Sequence, residues 1–320
     1  MNALHARPER QRWFRPTAAA DVRAAGHRFE WLKPDGWREG FRSLALEIDH
    51  PASDERLLIG VGRVGPNLVH PQRDMVEIEI DEAYRRKGHG TALINELRKY
   101  STKPLSDKVV PGSVRDLFLG SIGAVTYLPL PSMTIDLTAA RTARWCRAAW
   151  EAGRPVGDRQ QLQVVRWSDL PREWLVEALT DRYLWQHASW SPTAGRETIR
   201  PVVGEEFYDE AVLEHSWATV RAGRITALAD LYDEPAGKSR EGCLEAIDAA
   251  APQARPDVAL CLAALIEDVR ELGADQLDCD NHPTDPHAAP LLATLPLIAG
   301  EQMNLVEIPN GITAALRETT

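Results

Sequence analysis

The sequence predicts an α/β (α+β) protein built as two tandem copies of one domain. Three observations carry that reading. Stretches of strand and helix character alternate along the chain, the second half repeats the order of the first in outline, and 320 residues are long for one domain. Apolar residues make up 44% and charged residues 26%, which supplies ample core for a soluble globular chain. With 37 basic against 47 acidic side chains, the net charge of -10 is expected to repel nucleic acid and anionic membrane. No stretch has the length of a membrane span, and "MNALHARPERQRWFRP" lacks the apolar core of a secretory signal. The four cysteines, Cys146, Cys243, Cys261 and Cys279, are far apart without CxxC spacing, which suggests buried, reduced thiols in a cytoplasmic protein.

The opening reads as irregular to about Trp31, its arginine-bearing start as a tail. "FRSLALEIDH" (Phe41 to His50) and "RLLIGVGRVG" (Arg56 to Gly65) read as strands joined by "PASD". "MVEIEID" alternates, with Val76, Ile78 and Ile80 on one face and Glu77 and Glu79 on the other. Thr91 to Lys99 follows as a helix with Leu93, Ile94 and Leu97 on one stripe. A short strand near Val109 and Val110, a helix from Ser113 to about Ser121 and a strand ending in "SMTIDL" complete the first half.

Residues 138–152 read as a connecting helix capped by Thr138, and "GRPVGDR" as a linker. The second half offers the strand "LQVVRW", the helix "DLPREWLVEALTDRYLW", and strands from His215 to Arg221 and from Ile225 to Tyr232. It continues with the strand "GCLEAID", the helix "VALCLAALIEDVRELG", the strand "DQLDCD" and the helix "HAAPLLATLPLIA". The expected division is 1–137, 138–159 and 160–320.

Chemistry concentrates in "YRRKGHGTALINEL" (Tyr84 to Leu97). A glycine-containing turn that feeds a helix lets successive amides converge without Cβ obstruction, and the helix dipole adds partial positive charge. Arg85, Arg86 and Lys87 add full charges. Such a turn suits a phosphate. GxxxxGK[ST] is absent, and "GHGTAL" lacks the third glycine of the dinucleotide fingerprint. A tight strand-to-helix turn rimmed by solvated cations is the duller alternative.

The whole run "VEIEIDEAYRRKGHGTALINEL" resembles the coenzyme A loop of the GNAT superfamily of N-acetyltransferases, whose signature is [RQ]xxGx[GA] between the fourth strand and the third helix. Arg85, Gly88 and Gly90 take the signature positions. The resemblance implies tandem GNAT-like domains of the mycothiol synthase type, each a mixed, mostly antiparallel central sheet flanked by helices. It also implies acetyl-CoA in the N-terminal domain, held by Ile80, Arg85, Arg86, Lys87, Gly88, His89, Gly90 and Thr91, a small-molecule amine as acceptor, and room for a homodimer.

The sequence departs from the family where an Asn, a general-acid Tyr and a closing Gly-Phe are often found. Gly112, Leu119 and Gly123-Ala124 stand there, leaving solvent to protonate the thiolate. No room is expected between Trp31 and Phe41 for the two helices that fold over the acceptor. In the second half Gln253 is kept, but Pro256 and Val258 replace the glycines, so a phosphate cradle there is not expected. That half keeps Trp167, Trp174, Tyr183, Trp185 and Trp190, which suit core or acceptor binding.

Direct attack of an amine on the thioester needs a carboxylate to take the proton. Glu79 is preferred for its proximity to Ile80, with Glu77 beside it and Asp74 on the other face; each also suits a solvated strand face or an ion pair. "DCDNHPTDPH" (Asp278 to His287) reads as a strand-to-helix turn rather than a metal site. A silent acetyl-CoA-binding or partner-binding protein and a protein-amine acetyltransferase are the alternative functions.

Overall fold

The computed structural model describes residues 11–29, 32–50, 53–153, 162–232, 239–250, 254–300 and 302–310. Its elements run β1 (Arg12–Pro16), α1 (Ala19–Ala25), β2 (Arg42–Asp49), β3 (Arg56–Pro66), β4 (Asp74–Ile80), α2 (His89–Leu97), β5 (Leu105–Val109), α3 (Val114–Ser121), β6 (Val125–Leu130) and β7 (Thr134–Asp136). They continue with α4 (Ala140–Gly153), β8 (Leu162–Arg166), α5 (Arg172–His187), α6 (Arg196–Ile199), a π-helical turn (Arg200–Glu205) and α7 (Glu206–Glu210). The last are β9 (Trp217–Arg221), β10 (Arg224–Leu231), β11 (Ser239–Ala246), α8 (Ala254–Glu271), β12 (Gln276–Asp280), α9 (Ala288–Leu292), β13 (Leu297–Ile298) and β14 (Met303–Ile308).

Two seven-stranded sheets organise these elements. One has the order β1-β2-β3-β4-β5-β14-β6 and the other β8-β9-β10-β11-β12-β7-β13. In each, the first four strands pair antiparallel and the fifth joins the fourth in parallel. The internal repeat is therefore real, and its penultimate strands are exchanged. β7 enters the second sheet and β14 enters the first, where the unexchanged repeat would place each in its own half.

The exchange changes the domain boundaries. The described residues within Met1–Asn67, Pro71–Thr126 and Leu305–Thr320 form one compact unit, and those within Leu68–His70 and Tyr127–Asn304 the other. This differs from the expected 1–137, 138–159 and 160–320 because strand pairing, not chain order, decides where β7 and β14 belong. Helix α4 is no mere connection: Trp145, Cys146, Ala149 and Trp150 pack into the core of the second unit with α8. Much of the expected linker lies outside the described residues.

Other readings shift for local reasons. The single strand expected to end in "SMTIDL" is β6 and β7 in different sheets, with Pro131 and Ser132 between them. The last expected helix stops at Leu292, and β13 begins after Pro296. The irregular opening contains β1 and α1, because β1 gains its hydrogen-bond partners from distant β2, in register from Arg12 opposite Ile48 to Pro16 opposite Leu44. The helical segment thought to lack room between Trp31 and Phe41 thus precedes Trp31. The cap expected of Thr138 comes from Asp136, whose Oδ1 accepts from the Thr138 and Ala139 amides at 2.9 and 3.2 Å while the Thr138 hydroxyl donates to it.

Each core follows from its pattern. In the first unit Val76 and Ile80 of β4 meet Leu93, Ile94 and Leu97 of α2, so the period-two and period-four stripes close on each other. Gly62 permits that approach, since a Cβ there would stand 2.7 Å from Leu97 Cδ1. In the second unit α8 is buried on nearly every side, as a helix covered by both α4 and its own sheet must be. All four cysteines are free and buried. Burial pushes the Cys146 and Cys261 thiols up to about 12, away from thiolate chemistry.

Candidate active site in the first unit

The site begins where two strands part. β4 and β5 pair only at Asp74 opposite Leu105 and Met75 opposite Ser106. β4 nevertheless continues to Ile80 on its β3 side, with Gly60 opposite Ile80. A parallel pair that stops after two rungs leaves the edge of β4 from Val76 onward without ladder partners from β5. A cleft of about 510 Å³ lies here, lined by Ile78, Glu79 and Ile80, by the loop into α2, and by Val114, Arg115, Phe118 and Ser121 of α3.

The loop has the backbone that its glycines predict. Gly88 caps α2 in the left-handed region at φ 73°, and Arg86 also has positive φ, at 61°. Gly90 faces Phe118, whose ring would lie 3.0 Å from a Cβ added there. The first amides of a helix have no acceptor within it, so the start of α2 presents N–H groups at the cleft.

The structure sorts the expected cofactor residues. Ile80, Arg85, Arg86, Gly88, His89, Gly90 and Thr91 line the cleft. Lys87 is not among its lining residues: its ammonium donates to Ala83 O at 2.8 Å and lies 5.2 Å from the Tyr84 ring centroid. Arg85 turns inward as well, donating from Nε to Ile80 O at 2.9 Å. Of the three adjacent cations, Arg86 makes no side-chain hydrogen bond or ion pair among the described residues. A run of like charges in sequence does not specify which side chains turn back to satisfy carbonyls.

The candidate bases separate too. Glu79 is half-buried and lines the cleft. Glu77 shares its strand face but forms an ion pair with Arg63 across the β3–β4 ladder. Asp74 is buried, accepting from Ser101 Oγ at 2.6 Å with Lys103 at 3.4 Å. These pairings leave Glu79 as the strand carboxylate at the cleft. β4 pairs with β3 without a bulge, so the shared face of Glu77 and Glu79 is kept.

Sequence reading missed the Asp107–Arg115 pair. Asp107 is the first β5 residue beyond the last rung shared with β4, and Arg115 Nε donates to its Oδ2 at 2.6 Å. Burial, opposed by Arg115, pushes the Asp107 carboxyl up to about 6. The sequence signal was faint: an alternation of Leu105, Asp107 and Val109 that places a carboxylate among core residues. Leu119 is 1% exposed in the core and is not among the lining residues of the cleft.

The second unit is built differently. β11 and β12 stay paired through Cys243 and Asp280, and Asn281 Nδ2 then donates to Leu244 O at 3.2 Å. The wedge is closed by the protein's own amide. At the start of α8 the buried carboxylate of Asp257 accepts two bonds from Arg221 Nε, one from Arg221 Nη2 at 2.7 Å and one from Thr226 Oγ1 at 2.8 Å. An internal anion at this helix start disfavours an external phosphate. Gln253 lies outside the described residues, whereas Val258 is core.

The other sequence features of this unit take structural places. Trp167 is fully buried, donating to Trp217 O at 2.9 Å, and Trp174 is exposed. Trp185 packs against the main core. Tyr183 and Trp190 join His70, His187 and His282 in a ring cluster, and burial drives His187 down to about 2. In "DCDNHPTDPH", Asp285 Oδ1 accepts from the His287 and Ala288 amides, initiating α9.

This is the tandem GNAT fold: twin mixed sheets, with a glycine loop between a splayed fourth strand and the following helix. The chain is similar to a GCN5-related N-acetyltransferase from Sphaerobacter thermophilus at 13% identity and TM-score 0.57, covering 94% of this chain and 97% of that one. It is also similar to a tandem GNAT protein from the clavulanic acid biosynthesis pathway, at 16% identity and TM-score 0.55, over 94% and 99% of the two chains. A glucosamine N-acetyltransferase region of a fungal multi-domain enzyme aligns at 10% identity and TM-score 0.60, over 93% of this chain and 38% of that one. No family model matches the sequence, and no curated protein does.

Proposed function

We propose that the first unit is an acyl-CoA-dependent N-acyltransferase, with acetyl-CoA as donor and the amine of a small molecule as acceptor. One observation carries this: the unpaired edge of β4, the amides at the start of α2 and a carboxylate face the same cleft. A nucleotide phosphate fits the loop, because Gly88 takes a φ that L-residues avoid and the first amides of α2 face the cleft, while Gly90 lets the Phe118 ring pack close against the helix start.

Ile80, Arg85, Arg86, Gly88, His89, Gly90 and Thr91 would hold the donor, which supplies an acyl group activated as a thioester. Glu79 takes the proton from the acceptor ammonium, directly or through water, and the neutral amine attacks the thioester carbonyl. No enzyme nucleophile is required. The adduct then expels the thiolate, its nitrogen gives up a second proton to solvent, and solvent protonates the thiolate, since Leu119 stands buried where the family often has a Tyr.

That missing phenol favours a second reading, a silent acyl-CoA-binding protein. Thiol release from acetyl-CoA with a panel of small amines and a protein substrate separates the readings. Release that depends on a small amine and falls in Glu79→Gln supports transfer. Binding of acetyl-CoA without release on any acceptor supports the silent protein, and release with the protein substrate alone would move the acceptor class.

A further inference from the structure

The loop's geometry is held by a residue outside it. Arg12, at the start of β1, donates from Nη2 to Lys87 O and from Nε to His89 Nδ1, both at 3.2 Å. It lies 77 positions from His89 in sequence and reaches the loop because β1 is paired to β2 at the sheet edge. Each bond has an orienting consequence. In a trans peptide the carbonyl and the following amide point in opposite directions, so drawing Lys87 O toward Arg12 turns the Gly88 N–H away from it. An imidazole that accepts at Nδ1 carries its proton on Nε2, so the second bond fixes the His89 tautomer. His89 is 7% exposed and, like Gly88, lines the cleft.

We infer that Arg12 is a positioning residue of the anion cradle, which turns the Gly88 amide into a donor for a phosphate of the acyl donor and holds the His89 ring in place beside it. The inference rests on the acyl-CoA reading of this cleft. Gly88 suits the arrangement: its φ of 73° is one that L side chains rarely adopt, and Arg12 Nη2 lies in contact distance of it. Arg12 adds a full positive charge beside the loop, a role that the sequence reading gave to Arg85, Arg86 and Lys87. Because both bonds act on the phosphate-binding turn, Arg12 should matter for the phosphate-bearing part of the donor and not for its acyl-pantetheine arm.

Two measurements test this. The first is nitrogen NMR of His89 in the wild-type protein, assigned by comparison with His89→Gln. The neutral ring should show the proton on Nε2, and Arg12→Ala should release it to a mixture of tautomers. The second compares acetyl-CoA with S-acetylpantetheine, which lacks the nucleotide phosphates, as donors or competitive ligands. Arg12→Ala should weaken acetyl-CoA about tenfold through KM with kcat unchanged, and leave acetylpantetheine as it was. Arg12→Lys, which supplies charge and one donor direction, should recover part of the loss. An Nδ1–H tautomer in the wild type would overturn the inference. So would equal losses on both donors, or no loss on acetyl-CoA in a variant with unchanged melting. If wild type binds neither donor, the acyl-CoA reading itself fails, while the tautomer measurement still reports on the Arg12–His89 bond.

Discussion

Glu79 and Glu77 illustrate how neighbours divide identical side chains. They share a strand and a face, yet Arg63 neutralises Glu77 while Glu79 meets the cleft. Glu79→Gln should lower amine-dependent turnover about 100-fold or more without weakening acetyl-CoA binding, as steady-state kinetics and calorimetry would show. Glu77→Gln should leave turnover within a few-fold. Asp107 gives a different test. Burial raises its carboxyl to about 6 in the folded protein, above the ordinary value near 4. The native state therefore binds that proton more tightly than the unfolded chain does. Stability should fall as pH rises from about 4 to about 6, by on the order of 3 kcal/mol from this group, and Asp107→Asn should flatten that segment in urea unfolding against pH.

At the scale of elements, the parting of β4 from β5 makes the cleft, and glycines set how closely its walls approach. A Cβ at Gly60 would stand 2.5 Å from Ile80 Cδ1 and 3.0 Å from Glu79 O, both at the cleft's strand wall. Gly60→Ala should destabilise the first unit by about 1–3 kcal/mol and raise the KM for the acyl donor, measured by urea unfolding and kinetics. The strand-loop-helix unit was legible in sequence because all its determinants are local: alternation in β4, Gly88 and Gly90, and the Leu93, Ile94 and Leu97 stripe. The partners of that unit were not legible. Arg12, Arg63, Asp107 and Arg115 reach it through tertiary pairing, and no periodicity announces which cation turns to which carbonyl.

For the whole molecule the same contrast decides the fold. The repeated order of elements revealed two α/β copies, but the exchange of β7 and β14 left no mark in either strand's own composition. "TID" and "MNLVEI" specify extended backbone, not the sheet that receives it. Since β14 lies between β5 and β6, a chain ending before Met303 should lack an interior strand of the sheet that holds the site. Residues 1–137 alone should fail to give a cooperative thermal transition. Joining 303–310 to that segment through a flexible linker should restore part of it, as differential scanning calorimetry would show.

The central claim is that the Gly88 loop of the first unit holds an acyl-CoA. Calorimetric titration of the protein with acetyl-CoA, beside Gly88→Val and Gly90→Val, tests it most directly. We predict one site per chain, lost in both variants while their circular dichroism shows a retained fold and melting, though lowered by the strain at these positions, stays cooperative. No binding to the wild type, or binding that ignores both substitutions, would contradict the account.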